Sequence, residues 1–174
     1  DRILAYAPDA TVRGRYTVPA RAARFPASLA AEAVGQLAAW AAMRSLDLRL
    51  RPVAGLAGET RFGRPFGPGD TLDLEVDLES VTDSDVAYAG RVLVGGEIAL
   101  VLEHALGPML PASEFDDPGA LRADFTTLTT TGAPPDRFAG VPLPDLAIDE
   151  LDPGHRAKGT LAIPADAPYF ADHF

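Results

Sequence analysis

The sequence predicts an α+β fold, in which one long buried helix is wrapped by an antiparallel sheet. Three observations lead to this class. Residues 27–46 form an apolar, alanine-rich run of helical length, and residues 71–106 alternate apolar with polar side chains as half-buried strands do. Short turns separate the alternating segments, which favours antiparallel pairing. With 174 residues, of which 47% are hydrophobic, the chain is long enough to bury a core of its own.

The helix is predicted over residues 27–46 because this run is rich in Ala and Leu and contains no proline. Pro26 lies directly before it, a position that suits the edge of a first helical turn. The apolar face follows helical spacing through Leu29, Ala33, Leu37 and Trp40. Most of the remaining positions are Ala, so we expect the helix to be buried on most of its sides.

Three strands are predicted after the helix. Residues 71–79 alternate Leu or Val with Asp or Glu, which indicates a strand with one acidic, solvated face. Residues 86–94 alternate again, and Gly95-Gly96 predicts a two-residue hairpin turn. Residues 97–106 return as a long strand. One face of that strand is expected to carry Ile98, Leu100 and Leu102.

The last third of the sequence holds a linker and then a repeat of the N-terminal segment. Residues 111–142 are rich in Pro, Gly, Thr and Asp, and we interpret them as a linker with one short element around residues 121–125. Beyond the linker, a shift of 145 positions aligns the chain with its own first 25 residues. The shift places Ile3 on Ile148, Pro8 on Pro153, Gly14 on Gly159 and Phe25 on Phe170. The repeat predicts a duplicated domain of which only the opening segment is present.

Composition and charge exclude several classes of function. The formal net charge of −10 and the pI of about 4.6 argue against nucleic-acid binding, which needs a basic surface. The absence of cysteine excludes a disulfide framework, a zinc ribbon and a Cys nucleophile. The sequence shows neither a signal peptide nor a membrane span, so we expect a cytoplasmic protein with no membrane partner.

The three histidines are too far apart in the sequence for metal-ligand spacing, and we expect no metal. His104 lies in a predicted strand, where we expect cross-strand packing. His155 follows Pro153-Gly154 and is expected in a turn. His173 lies in an Asp-His-Phe sequence after an apolar segment.

Three segments resemble the β-hydroxyacyl-ACP dehydratases, which have a hotdog fold. Ala31 to Gln36 reads A-E-A-V-G-Q and resembles the family's helix motif E-A-x-x-Q. Residues 62–72 read F-G-R-P-F-G-P-G-D-T-L and resemble F-x-R-P-V-x-P-G-D-x-L. Residues 167–174 read A-P-Y-F-A-D-H-F and resemble the approach to the catalytic histidine. The tandem layout is similar to the double-hotdog dehydratase regions of polyketide and polyunsaturated fatty acid synthases.

The resemblance implies a domain division and an activity. Residues 1–110 would form a first hotdog, residues 111–142 a linker, and residues 143–174 the opening segment of a second, truncated hotdog. The implied reaction is dehydration of 3-hydroxyacyl thioesters to trans-2-enoyl thioesters in fatty acid or polyketide synthesis. The substrate would be carried on the phosphopantetheine of an acyl carrier protein, or on coenzyme A, and no other cofactor is expected.

Dehydration needs a base with a pKa near neutrality, an acid for the departing hydroxyl and donors for the thioester oxygen. By the resemblance, His173 is the base and Glu32 the acid. Gln36, one helical turn further on, would orient Glu32, and the helix N-terminus at Ala27 would orient the substrate. A carboxylic acid can give a proton at neutral pH only where an apolar site raises its pKa.

Two departures from the family pattern shape the expected site. No histidine precedes His104, so the first repeat has the acid of the pair and lacks the base. Pro26-Ala27 also stands where the family has Pro-Gly. We therefore expect one hybrid site, with His173 from the second repeat and Glu32 from the first.

Two other functions stay open on the sequence alone. The first repeat could be a non-catalytic pseudo-hotdog that completes a dehydratase partner domain, since it lacks a histidine of its own before His104. A hotdog thioesterase would instead use a carboxylate to activate water. In each case the expected protein partner is a second hotdog, either in the same chain or in a homodimer.

Overall fold

The structure is a computed structural model that describes most of the chain, namely residues 1–6, 11–20, 25–133, 146–153 and 155–162. The chain divides into two compact units, Asp1–Arg137 and Phe138–Phe174, and each is described by itself. Residues 163–174, which include His173, lie outside the described residues.

The first unit is an antiparallel sheet with two helices. Its elements are β1 (Arg2–Ala5), β2 (Val12–Thr17), α1 (Ala27–Ser45), β3 (Leu50–Pro52), β4 (Glu59–Phe62), β5 (Thr71–Val81), β6 (Asp85–Val94), β7 (Glu97–Pro111) and α2 (Pro118–Thr129). The strand order is β1-β2-β5-β6-β7-β3, and β4 also pairs with β7. Every strand pair in this order is antiparallel, as the short turns predicted.

Helix α1 is the buried element of this unit and runs from Ala27 to Ser45, within one residue of the predicted range. It packs on β5 and β6. Its buried positions are Ala30, Val34, Leu37, Ala38, Ala41, Ala42 and Met43. The small side chains let the sheet approach closely, since a Cβ on Gly90 of β6 would lie 2.5 Å from Val34 Cγ1. The expected arrangement of a buried helix against an antiparallel sheet is confirmed.

The prediction for Leu29 is wrong. Leu29 was expected on the buried face, but its side chain is 40% exposed. The residue next to it, Ala30, is fully buried, so the stripe that contacts the sheet begins one position later. Leu29 instead shares the exposed side of α1 with Glu32 and Gln36.

The strand predictions are confirmed in outline. Along β5, Leu72, Leu74 and Val76 are buried and the residues between them are not, as the alternation indicated. Strands β6 and β7 are joined at Gly95 and Gly96, which have φ of 61° and 86°. Positive φ at both positions is what a tight two-residue hairpin turn requires.

Two bulges in β7 overturn the expectations for Ile98 and His104. Val92 of β6 pairs with Leu100 of β7, and the next residue of β6, Leu93, pairs with Ile98. Strand β7 therefore has one extra residue at this point, and Ile98 lies on the opposite face from Leu100. Ile98 is consequently 56% exposed. A second irregularity lies between the pairs of Tyr88 and Gly90.

At that second bulge His104 has φ of 55°, in the left-handed region. Its neighbours Leu102 and Ala105 are both buried, which leaves His104 exposed rather than packed between strands.

Helix α2 lies within the segment predicted as a linker. The Asp117 side chain caps it by accepting hydrogen bonds from the Gly119 and Ala120 amides at 2.8 and 3.0 Å. Leu121 is buried with Met43 and other residues near the end of α1. The short element expected around residues 121–125 is therefore a 12-residue helix that packs on the rest of the first unit.

The described part of the second unit is a hairpin of β8 (Leu146–Asp152) and β9 (Arg156–Leu161). Its register matches that of β1 and β2 under the shift of 145 positions. Ile148 pairs with Gly159 as Ile3 pairs with Gly14, and both hairpins have an irregularity directly after that pair. His155 lies in the connecting turn, as predicted, and its amide donates to the Asp152 carbonyl at 3.0 Å.

Candidate active site

Glu32 and Gln36 form a hydrogen-bonded pair on the exposed side of α1. Gln36 Nε2 donates to Glu32 Oε1 at 2.7 Å, across one turn of the helix. Both residues are exposed in this chain, so the apolar surroundings expected for a proton-donating Glu32 are absent from the described part of the structure. Among the described residues, Gln36 is the one hydrogen-bond donor to the Glu32 carboxylate, so Oε2 of Glu32 is free for another group.

The N-terminus of α1 lies one turn before Glu32. Pro26 is the N-cap and offers no side-chain hydrogen bond, and the first turn contains no acidic residue. The Leu29 amide donates to the Pro26 carbonyl at 3.0 Å, whereas the amides of Ala27 and Ser28 have no acceptor in the described part of the chain. Unpaired amides at a helix N-terminus attract an oxygen that carries negative charge.

The Pro68-Gly69-Asp70 turn is held by hydrogen bonds within its own loop and to the chain that follows β2. Asp70 Oδ2 accepts hydrogen bonds from the Gly67 amide and from Arg64 Nη2, each at 2.9 Å. The backbone of Asp70 in turn accepts from the Val18 amide at 2.9 Å. This loop carries the part of the sequence that resembles the family, and its visible role is structural.

Phe66, at the start of the same loop, joins it to the chain before the helix. Its ring packs edge-on against that of Phe25 at 6.2 Å between centroids, and the two residues form a β-bridge. Phe25 lies two residues before Ala27, so the loop holds the first turn of α1 against the sheet.

Tyr88 is a site residue that the sequence reasoning missed. Its hydroxyl would lie 3.3 Å from a Cβ placed on Gly35, three residues beyond Glu32 on α1. Burial raises the pKa of the Tyr88 phenol, and the charge of the Glu32 carboxylate raises it further. The alternation along β6 shows that Tyr88 faces inward, but only the packing of α1 on β6 brings it to Glu32.

The histidines are placed differently from the expected site. His104 is the histidine of the first unit, and it lies on the exposed face of β7 while the neighbours Leu102 and Ala105 face the core. His155 lies in the turn of the second unit. His173 lies outside the described residues, so the described structure brings no base to Glu32.

Two other kinds of functional feature are absent from the described residues. They contain no group of three or more His, Asp or Glu side chains that could hold a metal ion. They also contain no helix that is both long and apolar enough to cross a membrane.

Known proteins resemble this chain over part of its length. No family model matches it. A curated relative, the 3-hydroxyacyl-[acyl-carrier-protein] dehydratase FabZ of Variovorax paradoxus (strain S110), is 39% identical over 79 residues. The match covers 42% of this chain and 52% of the relative, so the chain spans about half the length of the curated relative that it matches.

Solved structures decide the fold. A thioesterase from Haemophilus influenzae superposes on this chain with a TM-score of 0.52 at 10% identity, over 66% of this chain and 81% of that one. The chain has a hotdog fold. The dehydratase heterocomplex ApeI:P from Xenorhabdus doucetiae is also similar, with a TM-score of 0.49 at 15% identity, over 64% of this chain and 80% of that one. The likeness to the thioesterase thus confirms the expected fold class.

Proposed function

We propose that this chain is part of an enzyme that dehydrates 3-hydroxyacyl thioesters to trans-2-enoyl thioesters, with the acyl group carried on the phosphopantetheine of an acyl carrier protein. The observation that carries the proposal is the Glu32–Gln36 pair, exposed one turn from the open N-terminus of α1. The partial identity to FabZ supports the same reaction, since that relative is a 3-hydroxyacyl-[acyl-carrier-protein] dehydratase.

Each group has a role in the balanced reaction. A base removes a proton from C2 of the acyl chain, and negative charge develops on the thioester oxygen. The amides of Ala27 and Ser28 stabilise that charge by donating hydrogen bonds. Glu32 gives its proton to the 3-hydroxyl, the C3–O bond breaks, and water leaves with the formation of the C2–C3 double bond. Gln36 holds the carboxyl group in position throughout.

The base in this proposal is His173, because its Asp-His-Phe context is the family's catalytic one. A second hotdog in a longer, cytoplasmic protein would supply it, as in the tandem dehydratase regions of polyketide and polyunsaturated fatty acid synthases. The matching registers of the two hairpins support this duplication, since strand register and bulge position are specific features of a strand pair.

The exposed edge at β4 supports a second hotdog as the partner, in the same chain or as a homodimer. Strand β4 pairs with β7 on one side and has no other strand partner among the described residues. Large apolar side chains are exposed along this edge on Leu56, Phe62, Ile98 and Leu106. An unpaired, apolar sheet edge is a site for pairing with another strand.

A second candidate function is a pseudo-hotdog that only completes the fold and interface of a dehydratase partner. The observation in its favour is the position of His104, which faces away from the core and leaves the first unit without a base of its own at Glu32. On this alternative the Glu32–Gln36 pair is a surface hydrogen bond with no role in turnover.

Product analysis of the complete protein separates these possibilities. With a short 3-hydroxyacyl thioester of acyl carrier protein, we expect the enoyl thioester and water as products. Replacement His173→Ala should remove that activity and leave the thermal midpoint unchanged. Release of free acid and thiol would instead identify a thioesterase. Full dehydration by the His173→Ala protein would contradict the assigned base.

A further inference from the structure

Two glycines, Gly90 on β6 and Gly35 on α1, lie where the strand that carries Tyr88 packs on the helix. On β6, Tyr88 lies two residues before Gly90, where the helix approaches so closely that a Cβ would lie 2.5 Å from Val34. On the helix, Gly35 faces the phenol, and a Cβ there would lie 3.3 Å from the Tyr88 hydroxyl. Because Gly35 has no side chain, the Tyr88 hydroxyl lies against the helix there, three residues beyond Glu32.

The surroundings of the phenol are apolar apart from Glu32. The residues paired with Tyr88 on the neighbouring strands are Leu78 and Ala105, and both lie against the hydrophobic core. Among the described residues, Glu32 is the charged group that acts on the phenol, and burial acts in the same direction by raising its pKa. Tyr88 is therefore protonated at neutral pH and able to donate a hydrogen bond.

The hydroxyl of Tyr88 has no hydrogen-bond partner in the described part of the chain. A buried phenol usually finds such a partner, and this one is only half-buried, with its hydroxyl beside Gly35 of the helix. Oε2 of Glu32 also has no donor there. A free donor beside Gly35 and a free carboxyl oxygen of Glu32, three residues earlier on α1, are thus both open to a ligand.

We propose that Tyr88 positions the substrate of the Glu32 site, by donating a hydrogen bond to the 3-hydroxyl oxygen of the acyl thioester. The inference rests on the proposed function and adds a residue to it. During turnover Glu32 gives the proton, the C3–O bond breaks, and Tyr88 keeps its own proton. Its hydrogen bond orients the departing oxygen so that a lone pair of this oxygen accepts the proton from Glu32.

The test is Tyr88→Phe in the complete protein, because this change removes the hydroxyl and keeps the packed ring. We expect kcat/KM for dehydration to fall about 10- to 100-fold, the effect of losing one hydrogen bond to a group of developing charge. The thermal midpoint should stay at the wild-type value. Tyr6→Phe is the matched control, since Tyr6 is also a half-buried tyrosine but packs against Phe125 of α2. A Tyr88→Phe enzyme with wild-type kcat/KM would overturn the proposal.

A titration gives a second readout that needs no turnover. Tyrosine labelled with carbon-13 at Cζ reports each phenol by NMR, and Tyr88→Phe assigns the resonance. In the Glu32→Gln protein we expect the pKa of Tyr88 to fall, because a neutral amide no longer disfavours the phenolate. An unchanged pKa would show that the two groups are apart and overturn the inference. If the wild-type enzyme itself does not dehydrate, the proposed function fails; if only Tyr88→Phe is unaffected, the inference alone fails.

Discussion

The two hairpins of this chain have the same internal geometry and different surroundings. In β1–β2 and in β8–β9 the same aligned positions pair, and the irregularity falls at the same place. Yet Ile3 is buried at 6% exposure, whereas the aligned Ile148 is 53% exposed. Every described side chain of β9 is exposed, while β2 is paired along its length with β5.

The difference shows which features of a hairpin depend on its own sequence and which depend on the neighbouring elements. Register and bulge follow from the hairpin's own sequence, so they are present in both copies. Burial follows from a further strand and a helix, which the first hairpin has in β5 and α1. An isolated two-stranded hairpin is at best marginally stable in water, so we expect the second copy to need an equivalent neighbour.

The largest expected effect comes from the aligned isoleucines. Ile3→Ala should lower the free energy of unfolding by about 2–5 kcal/mol, because it empties a buried site. Ile148→Ala should change it by no more than about 0.5 kcal/mol in this chain, because its side chain is already exposed. Urea unfolding of the two variants measures both. An equal loss of unfolding free energy at the two positions would contradict this difference between the hairpins.

The aligned glycines give a smaller contrast. A Cβ on Gly14 would lie 3.1 Å from both terminal methyl groups of Leu37, so Gly14→Val overpacks the site between β2 and α1. We expect a loss of about 1–3 kcal/mol. Gly159 is exposed, and Gly159→Val in this chain should be close to neutral. In a complete double hotdog both variants should be destabilised, and thermal unfolding of that protein sharpens the comparison.

The smallest effect concerns polar contacts on the outer face. Arg15 forms an ion pair with Asp73 of β5 at 2.7 Å, whereas the aligned Thr160 bonds within its own hairpin, to Asp149 at 2.9 Å. Because the Arg15 pair is exposed, Arg15→Ala should cost at most about 1 kcal/mol, and added salt should reduce that cost. Thr160→Ala should show no such salt dependence. A salt-dependent loss in both variants would contradict the assignment of these contacts.

Local sequence patterns predicted α1 and the strands β5, β6 and β7 of the first unit, and the failures have physical causes. The alanine-rich run and the alternation of β5 are strong signals, so their bounds were found. Ile98 and His104 were misplaced because bulges change the face that a strand residue occupies, and alternation does not reveal bulges. Helix α2 was predicted too short, although Asp117-Pro118 carries the signal of an N-cap followed by proline at the first helical position.

The site was predicted less completely than the fold. Glu32 and Gln36 lie four residues apart, so their contact follows from helical spacing and could be expected. Tyr88 is 56 positions from Glu32 in the sequence, and its approach depends on how β6 packs on α1 at Gly35 and Gly90. The pattern of apolar residues within one helix or one strand does not show how the two elements pack on each other. The base stays a prediction, since His173 lies outside the described residues.

The most direct test of the account is the turnover of Glu32→Gln in the complete protein on a 3-hydroxyacyl thioester of acyl carrier protein. The substitution keeps the shape of the side chain and removes the acidic proton. We expect normal folding and a loss in kcat of at least about 100-fold, the usual contribution of a general acid. Glu79→Gln, on an exposed position of β5, is the matched control and should keep wild-type kcat. Wild-type turnover by Glu32→Gln would contradict the account and favour the pseudo-hotdog.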